Sequence, residues 1–217
     1  MGKLVIGQFL NRPDCLVFNY PLTKLLNYQM TRSPNHIMDI SNLPPAIIAQ
    51  ATKAVEDYIL SSRKEYVGRA LPLDAAQRAT LEPFFPPEVL DASRFCMIGA
   101  SRIEDPPFYT MVKMMGLRNL PDFSSMTAIT FVDVVVSHEE FTDALLFHEL
   151  VHAVQYAQLG TTEFASRYVN GFIKGGSYEG TPLEKSAYEL EARFNKDKTT
   201  AFSVADAVKQ WIDDNKL

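Results

Sequence analysis

The spacing of apolar positions changes along the chain, and the change divides it. Residues 1–43 are interrupted by Pro13, Pro21 and Pro34 and read as short strands and loops. After Pro44, the residues Ile48, Ala51, Val55, Tyr58 and Ile59 recur at the spacing of one helix face, and Pro45 suits a first turn. Asp74 is placed to cap a second helix reaching about Leu81, after which Pro83, Pro86 and Pro87 break the pattern. Arg94–Ile98 reads as a strand and Pro106–Pro121 as irregular chain. Thr127–Ser137 (TAITFVDVVVS) is dense in β-branched and aromatic residues and is the most strand-like segment. Beyond it the period is helical. One helix runs from Ala144 to about Gln158, capped by Thr142 or Asp143 and stopped by Gly160. A second spans Thr162–Ile173 and ends at Gly175-Gly176; a third starts at Thr181-Pro182 and runs to about Asn195. Ser203 caps a fourth, which carries Val204, Val208, Trp211 and Ile212. Mixed structure first and helices later predict an α+β fold, with a small sheet in the N-terminal part and a mainly helical C-terminal part.

Composition narrows the classes without naming one. The 217 residues are 47% hydrophobic and 22% charged, which is ordinary for a globular chain with one buried core. No stretch nears the roughly 20 apolar residues of a membrane-spanning helix, so no membrane partner is expected. A net charge of -5 offers no basic stripe to a phosphate backbone, which argues against nucleic acid. Cys15 and Cys96 make neither a disulfide framework nor the paired spacing of a thiolate zinc site. The short apolar patch before Asn11-Arg12-Pro13 is not a signal peptide, so the expected location is cytoplasmic, with signal-less export left open. Oligomeric state is not legible.

The chemistry concentrates in Leu146-Phe147-His148-Glu149-Leu150-Val151-His152. Residues four apart share a helix face, so His148 and His152 can converge on one ion, with Glu149 beside them within reach of a water there. This is H-E-x-x-H, in which two neutral imidazoles bind zinc and the glutamate acts as general base. The expectation is therefore one domain over 1–217, with 126–217 as the helical part carrying the metal and 1–125 as an N-terminal subdomain. Of the other histidines, His138 suits a strand-to-helix turn and His36 has no partner pattern.

A catalytic zinc takes three protein ligands and keeps one position open. No histidine follows His152, so the third ligand is expected to be a carboxylate: Glu163, Glu179, Glu184, Glu189 or Glu191. Glu163 lies too near the end of the first helix. In the helix after Thr181, Leu183, Ala187, Leu190 and Phe194 form an apolar stripe, and Glu184, Tyr188 and Glu191 form the stripe beside it. Glu189 points further away, towards Lys185. Thr181 and Glu184 also match a capping box, which needs no metal, so the residues alone leave Glu184, Glu191 and Glu189 open.

The segment from Asn119 to Phe194 resembles a largely uncharacterised group of microbial H-E-x-x-H proteins. It shows Leu120-Pro-Asp-Phe, Ala128-Ile-Thr-Phe, Phe147–Tyr156 and Pro182–Tyr188 where that group has a strand, then FHELVH-x-x-Q-Y, then P-L-E-x-x-A-Y. More broadly the chain resembles gluzincin-like zincins, the zinc metallopeptidases in which a glutamate on the following helix completes the site. That resemblance implies Glu184 as third ligand, although the gap from His152 is longer here than in the classical gluzincins. It implies a zinc-dependent hydrolase acting on a peptide or protein substrate, with Glu149 activating water. An oxyanion donor is then expected among His138, Tyr156, Arg167, Tyr168, Tyr178 and Tyr188. Strand Ala128–Val136 would hold an extended peptide if it forms an exposed edge, and proline at Val134 would then abolish turnover. The competing readings are a zinc-stabilised binding or regulatory module without turnover, and helices that merely pack a core.

Overall fold

The computed structural model describes residues 43–114 and 120–217. The strands and loops expected before Leu43, together with Cys15 and His36, lie outside the described residues. The fold is α+β, with a small three-stranded sheet in the middle of the chain and helices towards its C-terminus. No helix among the described residues is long and apolar enough to cross a membrane.

Helix α1 (Pro45–Tyr66) begins at Pro45, whose missing N–H costs nothing in a first turn. Helix α2 (Ala75–Leu81) has the full capping box: Asp74 accepts from the backbone N–H of Ala76 and Gln77, and Gln77 Oε1 accepts from Asp74 N. The prolines read as interruptions instead start a short helix, α3 (Pro87–Ala92), since Pro86 and Pro87 stand at its N-cap and first turn. Strand β1 (Arg94–Met97) follows. The region read as irregular contains a second short helix, α4 (Tyr109–Met114).

The segment Thr127–Ser137 is not one strand. It folds as a tight hairpin of β2 (Ala128–Phe131) and β3 (Val134–Ser137), turning at Val132-Asp133. Val132 has a φ of 64°, a conformation that a β-branched residue rarely adopts, so no turn residue advertises the bend. Asp133 is held by two hydrogen bonds from Arg63 of α1, which ties the turn to the helix. The strand order is β1-β3-β2, with β1 parallel and β2 antiparallel to β3. Val134 therefore lies in the central strand, and a proline probe of the edge belongs in β2. Both sheet faces are covered: Val135 packs with the C-terminal helices, while Val134 and Val136 pack with Tyr66, Tyr109 and Phe123. Burial on both faces is why the strand reads as a continuous apolar run.

The remaining helices are α5 (Asp143–Gly175), α6 (Pro182–Lys196) and α7 (Val204–Asp213). Helix α5 is two helices joined at Gly160, whose φ of 74° and ψ of 162° leave the helical region where a stop was expected. Phe147 of α5 is fully buried, stacked on Phe194 of α6 with ring centroids 4.3 Å apart and edge-on to Phe84 and Phe85. Fully burying each such ring stabilises the fold by about 1.5–3 kcal/mol, and here the gain fixes α5 against α6.

Candidate metal centre

Helix α5 starts where Thr142 Oγ1 accepts from Leu145 N, and its residues from Leu146 to Tyr156 are all buried. Four of these are strongly polar: His148, Glu149, His152 and Gln155. Polar groups at that depth must find partners or the fold loses several kcal/mol, and each of them does.

Gln155 sets the orientation of His152. Its amide nitrogen donates to Leu183 O at 3.0 Å and to Ser186 Oγ at 2.9 Å, so its oxygen is the atom facing the imidazole. His152 Nδ1–H therefore donates to Gln155 Oε1 at 2.9 Å, and Nε2 points the other way. Glu191 does the same for His148, whose Nδ1–H donates to Glu191 Oε2 at 3.0 Å. The two Nε2 atoms consequently face each other at 3.2 Å.

Glu184 closes the triangle. Its Oε1 lies 3.4 Å from His152 Nε2 and its Oε2 lies 3.5 Å from His148 Nε2. Four ligands placed tetrahedrally at about 2.0–2.1 Å from a zinc ion stand about 3.3 Å from one another, which the Nε2–Nε2 separation of 3.2 Å suits, while the Glu184 carboxylate straddles the two rings with a different oxygen towards each. Glu184 Oε2 is buried and has no hydrogen-bond partner among the described residues. Two imidazole nitrogens and a carboxylate converging in a buried place need positive charge between them, which protons or a metal ion can supply. The donor set fits a divalent metal, and among the described residues these are the three whose ligand atoms come close enough to share one.

The capping box at the start of α6 is only half made. Thr181 Oγ1 accepts from Glu184 N at 3.3 Å, but Thr181 N donates to Tyr178 O, and the Glu184 carboxylate turns away towards the imidazoles. Burial by itself would raise the Glu184 pKa. The charge of His152 and the nearness of His148 and Tyr178 override it and hold the carboxyl well below the ordinary carboxylate range. Burial likewise pulls His148 down, but Glu184, Glu191 and Glu149 push it up to about 10. His152 is raised for the same reason, chiefly by Glu184 against the opposing effect of burial.

Glu149 sits beside the triangle, with Thr130 Oγ1 2.6 Å from its Oε2 and 3.1 Å from its backbone oxygen. Thr130 belongs to β2, so the edge strand holds the carboxylate in place. Of the expected donors, Tyr178 and Tyr188 line the cleft over the site, and the Tyr188 ring lies 4.6 Å from that of His148. Tyr178 is kept protonated, its pKa raised by burial and then by Glu184 and Glu149. Tyr156 and Tyr168 line an inner cavity of about 60 Å³ behind the site. Arg167 is spent on Glu163 and Leu217 O, and His138 lies outside the cluster.

Glu191 is thus an orienting partner of His148, and Glu189 is exposed, without the expected ion pair to Lys185. Gln155 and Thr130 were not singled out by sequence. Both lie in segments that carry the resemblance, Gln155 in Phe147–Tyr156 and Thr130 in Ala128–Phe131, but no spacing tied either to a histidine or to Glu149. No family model, curated protein or solved structure matches this chain.

Proposed function

We propose that the chain is a zinc-dependent hydrolase of peptide or amide bonds, similar in its site to the gluzincin-like zincins. The observation that carries the reading is the buried triangle of His148, His152 and Glu184 with both Nδ1 atoms tied off and both Nε2 atoms turned inwards. A bound zinc would polarise the scissile carbonyl and bring the pKa of its water towards about 7. Glu149, aimed by Thr130, takes the proton of the attacking water and returns it to the leaving amine. Tyr178, protonated and beside the triangle, donates to the developing oxyanion.

Elemental analysis and turnover of a peptide library test this together. Wild-type protein should hold about one zinc per chain, and His148→Ala, His152→Ala and Glu184→Ala should each lose it. Glu149→Gln should keep the metal while turnover falls by about 10²–10⁴-fold, the range for loss of a general base. Wild-type protein that takes up no zinc after reloading sinks the proposal. Full zinc with no hydrolysis by either form favours the binding or regulatory module instead.

A further inference from the structure

The triangle opens on a cleft of about 520 Å³, large enough for several residues of an extended chain. Its wall contains the start of β2 at Thr127 and Ala128, the loop before α5, the loop before α6 and the exposed face of α6. The charge in this wall is of one sign. Asp122, Glu139, Glu140, Glu179 and Glu191 line it beyond Glu149 and Glu184, and among the described residues no lysine or arginine does. Among the described residues Glu140 and Glu179 make neither an ion pair nor a side-chain hydrogen bond, and both are exposed. Among the described residues the Asp122 carboxylate is engaged only with Ser124, and the Glu139 carboxylate only with His138 at 3.7 Å. Glu184, whose buried Oε2 has no hydrogen-bond partner among the described residues, lines the same cleft, so the acidic wall leads to a place built for a ligand.

Adding the metal does not cancel this charge. With neutral imidazoles, a dication is balanced by Glu149 and Glu184 alone, and among the described residues no lysine or arginine in the wall offsets the five remaining carboxylates. A cleft lined by one sign and walled by protein focuses its field on whatever enters, and like charge is repelled from it. We infer that the cleft selects a cationic substrate: an extended peptide carrying lysine or arginine side chains beside the bond held at the metal. The inference rests on the hydrolase reading for the word substrate, but the charge selection stands on the wall itself.

Binding separates the two. Fluorescein-labelled nine-residue peptides, one alternating Lys and Ala and one alternating Glu and Ala, are titrated by anisotropy against zinc-loaded Glu149→Gln protein. The Lys peptide should bind at least about tenfold more tightly at low salt, with the preference shrinking towards unity in about 0.5 M salt. The double variant Glu140→Lys/Glu179→Lys should remove most of the preference. Glu65→Lys/Glu82→Lys makes the same change in net charge at exposed positions outside the cleft and should leave the preference in place. Equal binding of the two peptides, or loss of preference in both double variants alike, overturns the inference, and so does failure of the Lys peptide to bind. A wild-type protein that prefers the Lys peptide yet cleaves no member of a Lys- and Arg-containing library refutes the hydrolase and leaves the selectivity. Cleavage confined to acidic sequences does the reverse.

Discussion

Two imidazoles can offer Nε2 to one point only if something holds Nδ1 of each, and here the holders differ in kind. Glu191 is a carboxylate at the half-open end of the site, whereas Gln155 is a fully buried amide that also bonds the backbone of α6. Replacing Gln155 by Leu removes the acceptor for His152 and one of the two side-chain donors to Leu183 O, leaving Ser186 Oγ as the other. Zinc affinity should fall by about 10–100-fold, as is usual when the partner of a ligand histidine is lost. A chromophoric chelator competition measures this, and unchanged affinity would show that His152 needs no such holder. Protons are the metal's rivals at the same atoms. In the metal-free protein His148 is pushed up to about 10 against the pull of burial, so it carries a proton at neutral pH. A raised folded-state pKa contributes stability below the unfolded value near 6.5, and that contribution is lost as pH climbs through the folded value. Zinc uptake at pH 7 should therefore release protons, and apparent affinity should strengthen as pH rises from 6 to 8. Calorimetry in buffers of different ionisation enthalpy reads the proton count; a count of zero contradicts the geometry. At this scale His148, Glu149 and His152 were legible because they share one helical turn. Glu184 could not be chosen over Glu191 from spacing, since the choice turns on which imidazole nitrogen each carboxylate faces.

The site needs α5 and α6 close together, and a glycine permits it. A Cβ on Gly171 would fall 2.8 Å from Pro182 Cδ and 3.3 Å from Thr181 Cβ, within the first turn of the helix that carries Glu184. Gly171→Ala must push that turn outwards, at a cost of about 1–3 kcal/mol for overpacking. Gly160→Ala is the matched control. It has open space around it but a backbone conformation almost confined to glycine, for a strain of about 1–3 kcal/mol far from α6. Thermal melts should fall in both variants, while zinc affinity should drop only in Gly171→Ala; equal affinity in the two would mean that α6 does not position the ligand. The long amphipathic helices were legible because their apolar faces repeat over many turns. The hairpin was not, since Val132 gives no turn signal and its conformation is held by Arg63 from another element. Helices α3 and α4 are too short for periodicity to register, and proline served as a start where it had been read as a stop.

Across the whole molecule His148, His152 and Glu184 join elements that the apolar core already brings together. Phe147 packs α5 on α6, Val135 packs the sheet beneath them, and Thr130 reaches from β2 to Glu149. None of those contacts runs through the triangle, so the chain should fold without metal and gain stability when it binds. Binding to the native state alone adds about 4.1 kcal/mol when free zinc is a thousand times its dissociation constant. A chain of this length gains roughly 2–4 °C per kcal/mol, so chelation should lower Tm by about 8–16 °C while leaving one cooperative transition. Glu184→Gln should melt at the same temperature with and without zinc, which separates the specific site from surface binding. Loss of the transition on chelation would mean that the metal, and not the Phe147–Phe194 core, holds α5 to α6.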